Sequence, residues 1–195
     1  MTARDWMEQG TKLFLTAVDR LSDEDFDEPT DLPGWSRRHL IAHVHYNAEA
    51  LRRLVHWAAT GEERRMYASR EQRAEEIETG ARLPAGELRG RVRQSAQALA
   101  YDLDALSAEA RTREVVTAQG RTVPASEIPW MRAREVAVHT VDLKAGYGFD
   151  DLPAGFTAAL AVDAVRKRAA SGEAAPLAAW LTGRTAQAPT LGPWL

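Results

Sequence analysis

The sequence predicts a mainly α protein: a four-helix bundle with a long crossover and a small C-terminal extension. Three observations carry this. Long stretches repeat apolar residues every three or four positions, the pattern of amphipathic helices. Pro29, Pro33-Gly34, Gly61 and Gly146 mark breaks between those stretches. The one long connection, Gly61 to Pro84, is charged and too extended for a tight turn between neighbouring helices.

The first helix is read over Thr2–Leu21, with Trp6, Leu13, Ala17 and Leu21 on one stripe and Phe14 and Val18 widening it. Ser22-Asp23-Glu24-Asp25 resembles an N-cap for a short turn, and Pro29 and Pro33-Gly34 then break the chain. A second helix opens with Ser36 as N-cap, runs to about Thr60 and stops at Gly61. Leu40, Val44, Leu51, Leu54 and Val55 form its apolar face. The second half of the crossover has Glu and Arg at helical spacing. A third long helix spans about Pro84–Leu106, with Leu88, Val92, Ser95, Leu99 and Leu103 inward. Val115–Thr117 and Thr122–Val123 flank Ala118-Gln119-Gly120-Arg121 as a small hairpin. The fourth long helix is read over Met131–Ala145, with Val136, Val138, Val141 and Leu143 as its buried face. A last helix covers about Pro153–Ala170, a short one Leu177–Leu181, and Pro189–Leu195 is read as extended. The expected division is a bundle over residues 1–149 and a short C-terminal region over 150–195.

Composition narrows the function classes. Hydrophobic residues make up 45% and charged residues 27% of the 195, ordinary for a globular protein able to bury its own core. The net charge of -3 gives no electrostatic case for nucleic acid. There is no Cys, so disulfides, a Cys-based zinc finger and a cysteine nucleophile are excluded. Any thiol chemistry must borrow its thiol. No signal-peptide pattern and no membrane-length apolar run is present, and a cytoplasmic protein is the expectation.

The polar residues of the second and fourth long helices single themselves out. At about 100° per residue Arg132, Glu135, His139 and Asp142 share a stripe. A carboxylate and an imidazole one turn apart can hold one metal ion. His43 and Asn47 form a polar spot on the bundle-facing side of the second helix, which needs a partner. Two readings stay open from spacing alone: metal ligands, or satisfied polar residues in a bundle core. His39, one turn before His43, competes as a ligand, with a role at the helix N-terminus as its alternative. Asn47 and Asp142 are candidates to orient the ligating imidazoles. Of Arg132 and Arg134, only Arg132 lies on the ligand stripe.

Three segments carry a resemblance: Asp31-Leu-Pro-Gly-Trp-Ser-Arg-Arg-His-Leu-Ile-Ala-His43; Met66-Tyr-Ala-Ser-Arg-Glu-Gln-Arg73; and Ile128-Pro-Trp-Met-Arg-Ala-Arg-Glu135-Val-Ala-Val-His139-Thr-Val-Asp-Leu143. Together they resemble the mycothiol-dependent maleylpyruvate isomerase family, a branch of the DinB-like metal-binding four-helix bundles, over about residues 1 to 150. The resemblance implies a zinc ion, or another divalent metal, held by His43, Glu135 and His139 with an open position. It implies mycothiol, a small thiol of actinobacteria, as cosubstrate, and cis–trans isomerisation of maleylpyruvate to fumarylpyruvate by thiolate addition, rotation and elimination. It places an Arg of the C-terminal region near an anionic substrate, which falls on Arg184 in Leu181-Thr-Gly-Arg184. Arg132 is the second candidate for that task. The region after residue 149 is shorter than the family's α/β domain, and this leaves two other functions standing: a mycothiol S-transferase acting on electrophiles, and a non-catalytic metal-binding bundle. The expected partners are small molecules, with the chain a monomer or homodimer.

Overall fold

The structure is a computed structural model describing residues 1–192. It divides into two compact units, Met1–Asp151 and Leu152–Leu195. The first is a bundle of helices α1 (Ala3–Arg20), α2 (Arg37–Thr60), α4 (Ala85–Asp104) and α6 (Ile128–Asp142), with α3 (Arg70–Ala81) in the crossover and a one-turn α5 (Ala108–Thr112). Strands β1 (Glu114–Val116) and β2 (Thr122–Pro124) pair antiparallel, Val115 opposite Val123. The second unit holds α7 (Ala154–Arg168) and α8 (Ala174–Leu181), joined through a wide turn in which Gly172 takes φ 95°. The chain is thus mainly α, as the periodicity predicts.

Local chemistry sets the helix ends. Thr2 and Asp5 form a reciprocal capping box on α1. Ser36 caps α2, and the third helical residue, His39, takes the place usual for Glu: its Nδ1 accepts from the Ser36 N–H at 3.2 Å. Gly61, at φ 81°, ends α2 in the left-handed conformation that a side chain would resist. Ser69 caps α3 through the Gln72 N–H.

The core packs α1 against α6, α2 against α4, and α3 onto α2. Phe14, Val18, Leu40, Ile41, Val44, Leu88, Val92, Val136 and Leu143 belong to one buried cluster. Gly80 lets α3 lie close on α2, since a Cβ there would come within 2.8 Å of the Ala42 Cβ. The two helices that carry the polar stripe are tied end to end. From the first turn of α2, Arg37 donates Nε to Leu143 O (2.7 Å) and Nη2 to Lys144 O (3.1 Å), carbonyls just past the end of α6.

Several element limits differ from the sequence reading. The fourth long helix is Ile128–Asp142, not Met131–Ala145. Pro129 sits in its first turn, where a missing N–H costs nothing, and Lys144 (φ 53°) and Gly146 (φ 83°) turn the chain out of it. Its buried side is Arg132, Ala133, Val136, Ala137 and Thr140, while Val138 and Val141 are only half-buried. The short C-terminal helix begins three residues before the predicted Leu177. Positions 189–192 form no helix or strand, and the last three residues of the stretch read as extended lie outside the described residues. No helix among the described residues is long and apolar enough to cross a membrane.

Candidate metal and thiol site

Two turns of α6 and one of α2 bring His43, Glu135 and His139 together. One ligand-type atom from each lies within 4.8 Å of the others, the one such group among the described residues. His43 Nε2 is 3.0 Å and His139 Nε2 3.4 Å from the same Glu135 oxygen, Oε2. The imidazoles meet edge to face with centroids 5.0 Å apart. Trp35 stands over His43 at 5.4 Å.

The electrostatics follow from this closeness. Burial favours neutral Glu135, but hydrogen bonds from His139 and His43 outweigh it and hold the carboxyl well below the usual carboxylate range. Burial also opposes charge on His139, yet the carboxylates of Asp142 and Glu135 prevail and push it up to about 9. His43 moves the other way: burial lowers its affinity for a proton, with the charges of His139 and Arg73 adding to the effect. The site is one anion between an imidazolium and a neutral imidazole, a donor set that a divalent cation could occupy in place of the protons.

The supporting residues sort differently from expectation. Asp142 Oδ2 accepts from His139 Nδ1 at 2.8 Å and fixes the ring with Nε2 toward Glu135. Asn47 does not orient a ligand: its Oδ1 accepts from Arg132 Nη1 at 2.8 Å. Arg132 is therefore not presented to a substrate. It is 1% exposed, donates also to Val44 O at 2.8 Å, and ties α6 to α2 from within. Sharing a stripe with Glu135 does not carry it to the open side, because the stripe is wide enough to run from the site into the core. Arg184 lies in the second unit, exposed, with Nη1 donating to Thr182 O. His39 is taken up by Ser36 through Nδ1, and its Nε2 lies 3.5 Å from Glu78, so it does not join the trio. His45 is buried, its ring tilted against Tyr46 with centroids 4.7 Å apart. His56 meets Glu62 at 3.3 Å.

The sequence reading assigned no role to Arg73 and Tyr67. Arg73, on α3, donates from Nη2 to His43 Nδ1 at 3.3 Å. Its guanidinium lies 5.9 Å from the Tyr67 ring centroid. Burial pushes the Tyr67 phenol up, so it stays protonated. Both fall in the second motif, Met66 to Arg73, and that was the available signal. A separate polar cleft of about 420 Å³ runs along the far part of α2. Its charges are paired among themselves, as in Arg52 with Asp102 and Glu49, and none of the trio lines it.

Comparison with known proteins gives the following. The family described as mycothiol maleylpyruvate isomerase N-terminal domain matches residues 7–144. A crystal structure of the mycothiol-dependent maleylpyruvate isomerase is 44% identical, with TM-score 0.85, over 87% of this chain and 71% of that one. The structure of a His-to-Ala mutant of the mycothiol-dependent maleylpyruvate isomerase is 42% identical, with TM-score 0.82, over 86% of this chain and 70% of that one. No curated protein matches.

Proposed function

We propose, from the premise that this chain belongs to the mycothiol maleylpyruvate isomerase family, that it is a metal-dependent isomerase using mycothiol to convert maleylpyruvate, or a similar unsaturated keto acid, from cis to trans. The observation that carries the reading is the convergence of His43, Glu135 and His139 donor atoms within 4.8 Å in a chain with no Cys of its own.

These three residues would hold a zinc ion. Two imidazoles and one carboxylate leave a position open, as in catalytic zinc sites. When bound, the ion would supply electrostatic stabilisation of a thiolate near neutral pH. The remaining steps need no group from the chain to be consumed. The thiolate sulfur forms a C–S bond at one alkene carbon, and the π pair moves into the conjugated carbonyl as an enolate. The former double bond, now single, rotates. The pair then returns, the C–S bond breaks, and the thiolate leaves with the trans product. Atoms and electrons balance without an oxidant.

The chain's own residues have defined tasks in this scheme. Asp142 keeps His139 in the orientation that turns Nε2 to the centre. Arg132 and Asn47 hold the spacing between the helices that bear the ligands. Trp35 covers one side of His43 and keeps water from it.

The test is to purify the protein without added metal, measure bound zinc, and titrate mycothiol into wild type and His139→Ala. One zinc per chain, lost in the variant together with thiol binding, supports the reading. A wild-type chain that binds neither zinc nor thiol would overturn it. With maleylpyruvate as substrate, recovery of fumarylpyruvate and unchanged thiol indicates isomerisation. A stable mycothiol adduct would instead indicate an S-transferase working from the same ligands.

A further inference from the structure

The substrate of the proposed reaction carries carboxylates that call for a cation, and Arg132, the candidate on the ligand stripe, is sealed between α2 and α6. Arg73 meets the requirement from an element the expectation passed over. It reaches the trio from α3 and is half-buried, and among the described residues no carboxylate lies within ion-pair distance of it. Arg53, on the neighbouring α2, is by contrast engaged with Glu76 at 3.4 Å. A half-buried guanidinium with no carboxylate partner, set beside a cluster of donors, is available to an anion from outside.

The bond that now occupies Arg73 is also conditional. Arg73 carries donors only, so its contact requires His43 Nδ1 to be an acceptor. When His43 Nε2 serves as a ligand, the ring's one proton sits on Nδ1, and two N–H groups face each other. Arg73 then has no partner at His43. Its remaining neighbour is Tyr67, whose ring centroid lies 5.9 Å from the guanidinium and whose protonated hydroxyl is a second donor.

We propose that Arg73, with the Tyr67 hydroxyl beside it, is the carboxylate-binding residue of this site, freed for that role when His43 is engaged as a ligand. The proposal rests on the isomerase reading above for the identity of the anion, a short cis-dicarboxylate or keto acid. A guanidinium fork fits such a group in two parallel hydrogen bonds, which a lysine ammonium cannot reproduce.

Maleate, a non-reacting cis-dicarboxylate, is the probe. Its affinity for full-length wild type, Arg73→Gln and Arg73→Lys is measured by calorimetry on zinc-loaded protein, and zinc affinity by competition with a chelating dye. The expected result is at least a tenfold loss of maleate affinity in Arg73→Gln, partial recovery in Arg73→Lys, and zinc affinity within about threefold of wild type in both. Tyr67→Phe loses less, about threefold. Undiminished maleate binding in Arg73→Gln would overturn the proposal, as would absence of maleate binding to wild type. So would loss of zinc in Arg73→Gln, which would make the residue a support for His43. The isomerase reading fails by a different signal: no turnover of maleylpyruvate with mycothiol by a wild-type protein whose maleate binding still depends on Arg73.

Discussion

His139 is the residue whose charge state most distinguishes the metal-free site. Its folded value, about 9, lies above the ordinary 6.5, so the folded chain holds this proton more tightly than the unfolded one. The resulting stability is complete below pH 6.5 and is lost as the pH rises through about 9. Metal-free wild type should therefore lead metal-free His139→Gln in Tm by a margin that is widest near pH 6 and shrinks toward pH 9.5; a margin that grows with pH would contradict this. Asp142→Asn leaves a partner for His139 Nδ1 but removes the charge behind it. Zinc affinity should fall about 10- to 100-fold with helicity unchanged, as measured by chelator competition and circular dichroism. Spacing alone left Glu135, His139 and His43 open between metal ligands and satisfied core polarity, with His39 competing; the resemblance selected the three, and the structure brings their donor atoms together. Arg73 was legible only as the last residue of the Met66–Arg73 motif, with no role attached to it. Its importance depends on α3 folding back over α2, and a polar residue on a charged helix looks solvated from sequence alone.

At the scale of elements, the site depends on how closely α3 lies on α2. A Cβ at position 80 would meet the Ala42 Cβ at 2.8 Å and Tyr46 Cε2 at 2.9 Å, in a contact between helices with little slack. Gly80→Ala should cost about 1–3 kcal/mol in urea unfolding, and it should disturb Arg73, which rides on the same helix. An unchanged midpoint would mean α3 is looser than the packing indicates. The start of α2 was readable because Ser36 is a side chain that satisfies free N–H groups, whereas the caps Thr2 and Ser69 come from the structure. The bounds of α6 were not, since Pro129 reads as a breaker but sits where helices tolerate it, and Lys144 adopts a left-handed φ that its identity does not announce. Apolar stripes also do not name their partners. That α1 lies on α6 and α2 on α4 comes from the fit of whole surfaces, Gly10 against Val136 among them.

For the whole molecule, zinc bound to the folded chain alone would link metal to stability. At a free concentration of 100 times Kd this adds about 2.7 kcal/mol, which for a chain of this size raises Tm by about 5–10 °C. Chelation should reverse that shift in wild type and leave Glu135→Ala unmoved, as scanning calorimetry would read. The contact of His43 with Glu135 spans 92 positions of chain. Closing a flexible loop of that length costs about 4 kcal/mol in chain entropy before any packing repays it. During synthesis the first imidazole therefore emerges long before its carboxylate partner exists, and a nascent chain has no complete nest to offer a passing cation. Capture would wait for the last long helix of the bundle, so that a bound ion would mark a completed ligand set while the second unit is still to be made.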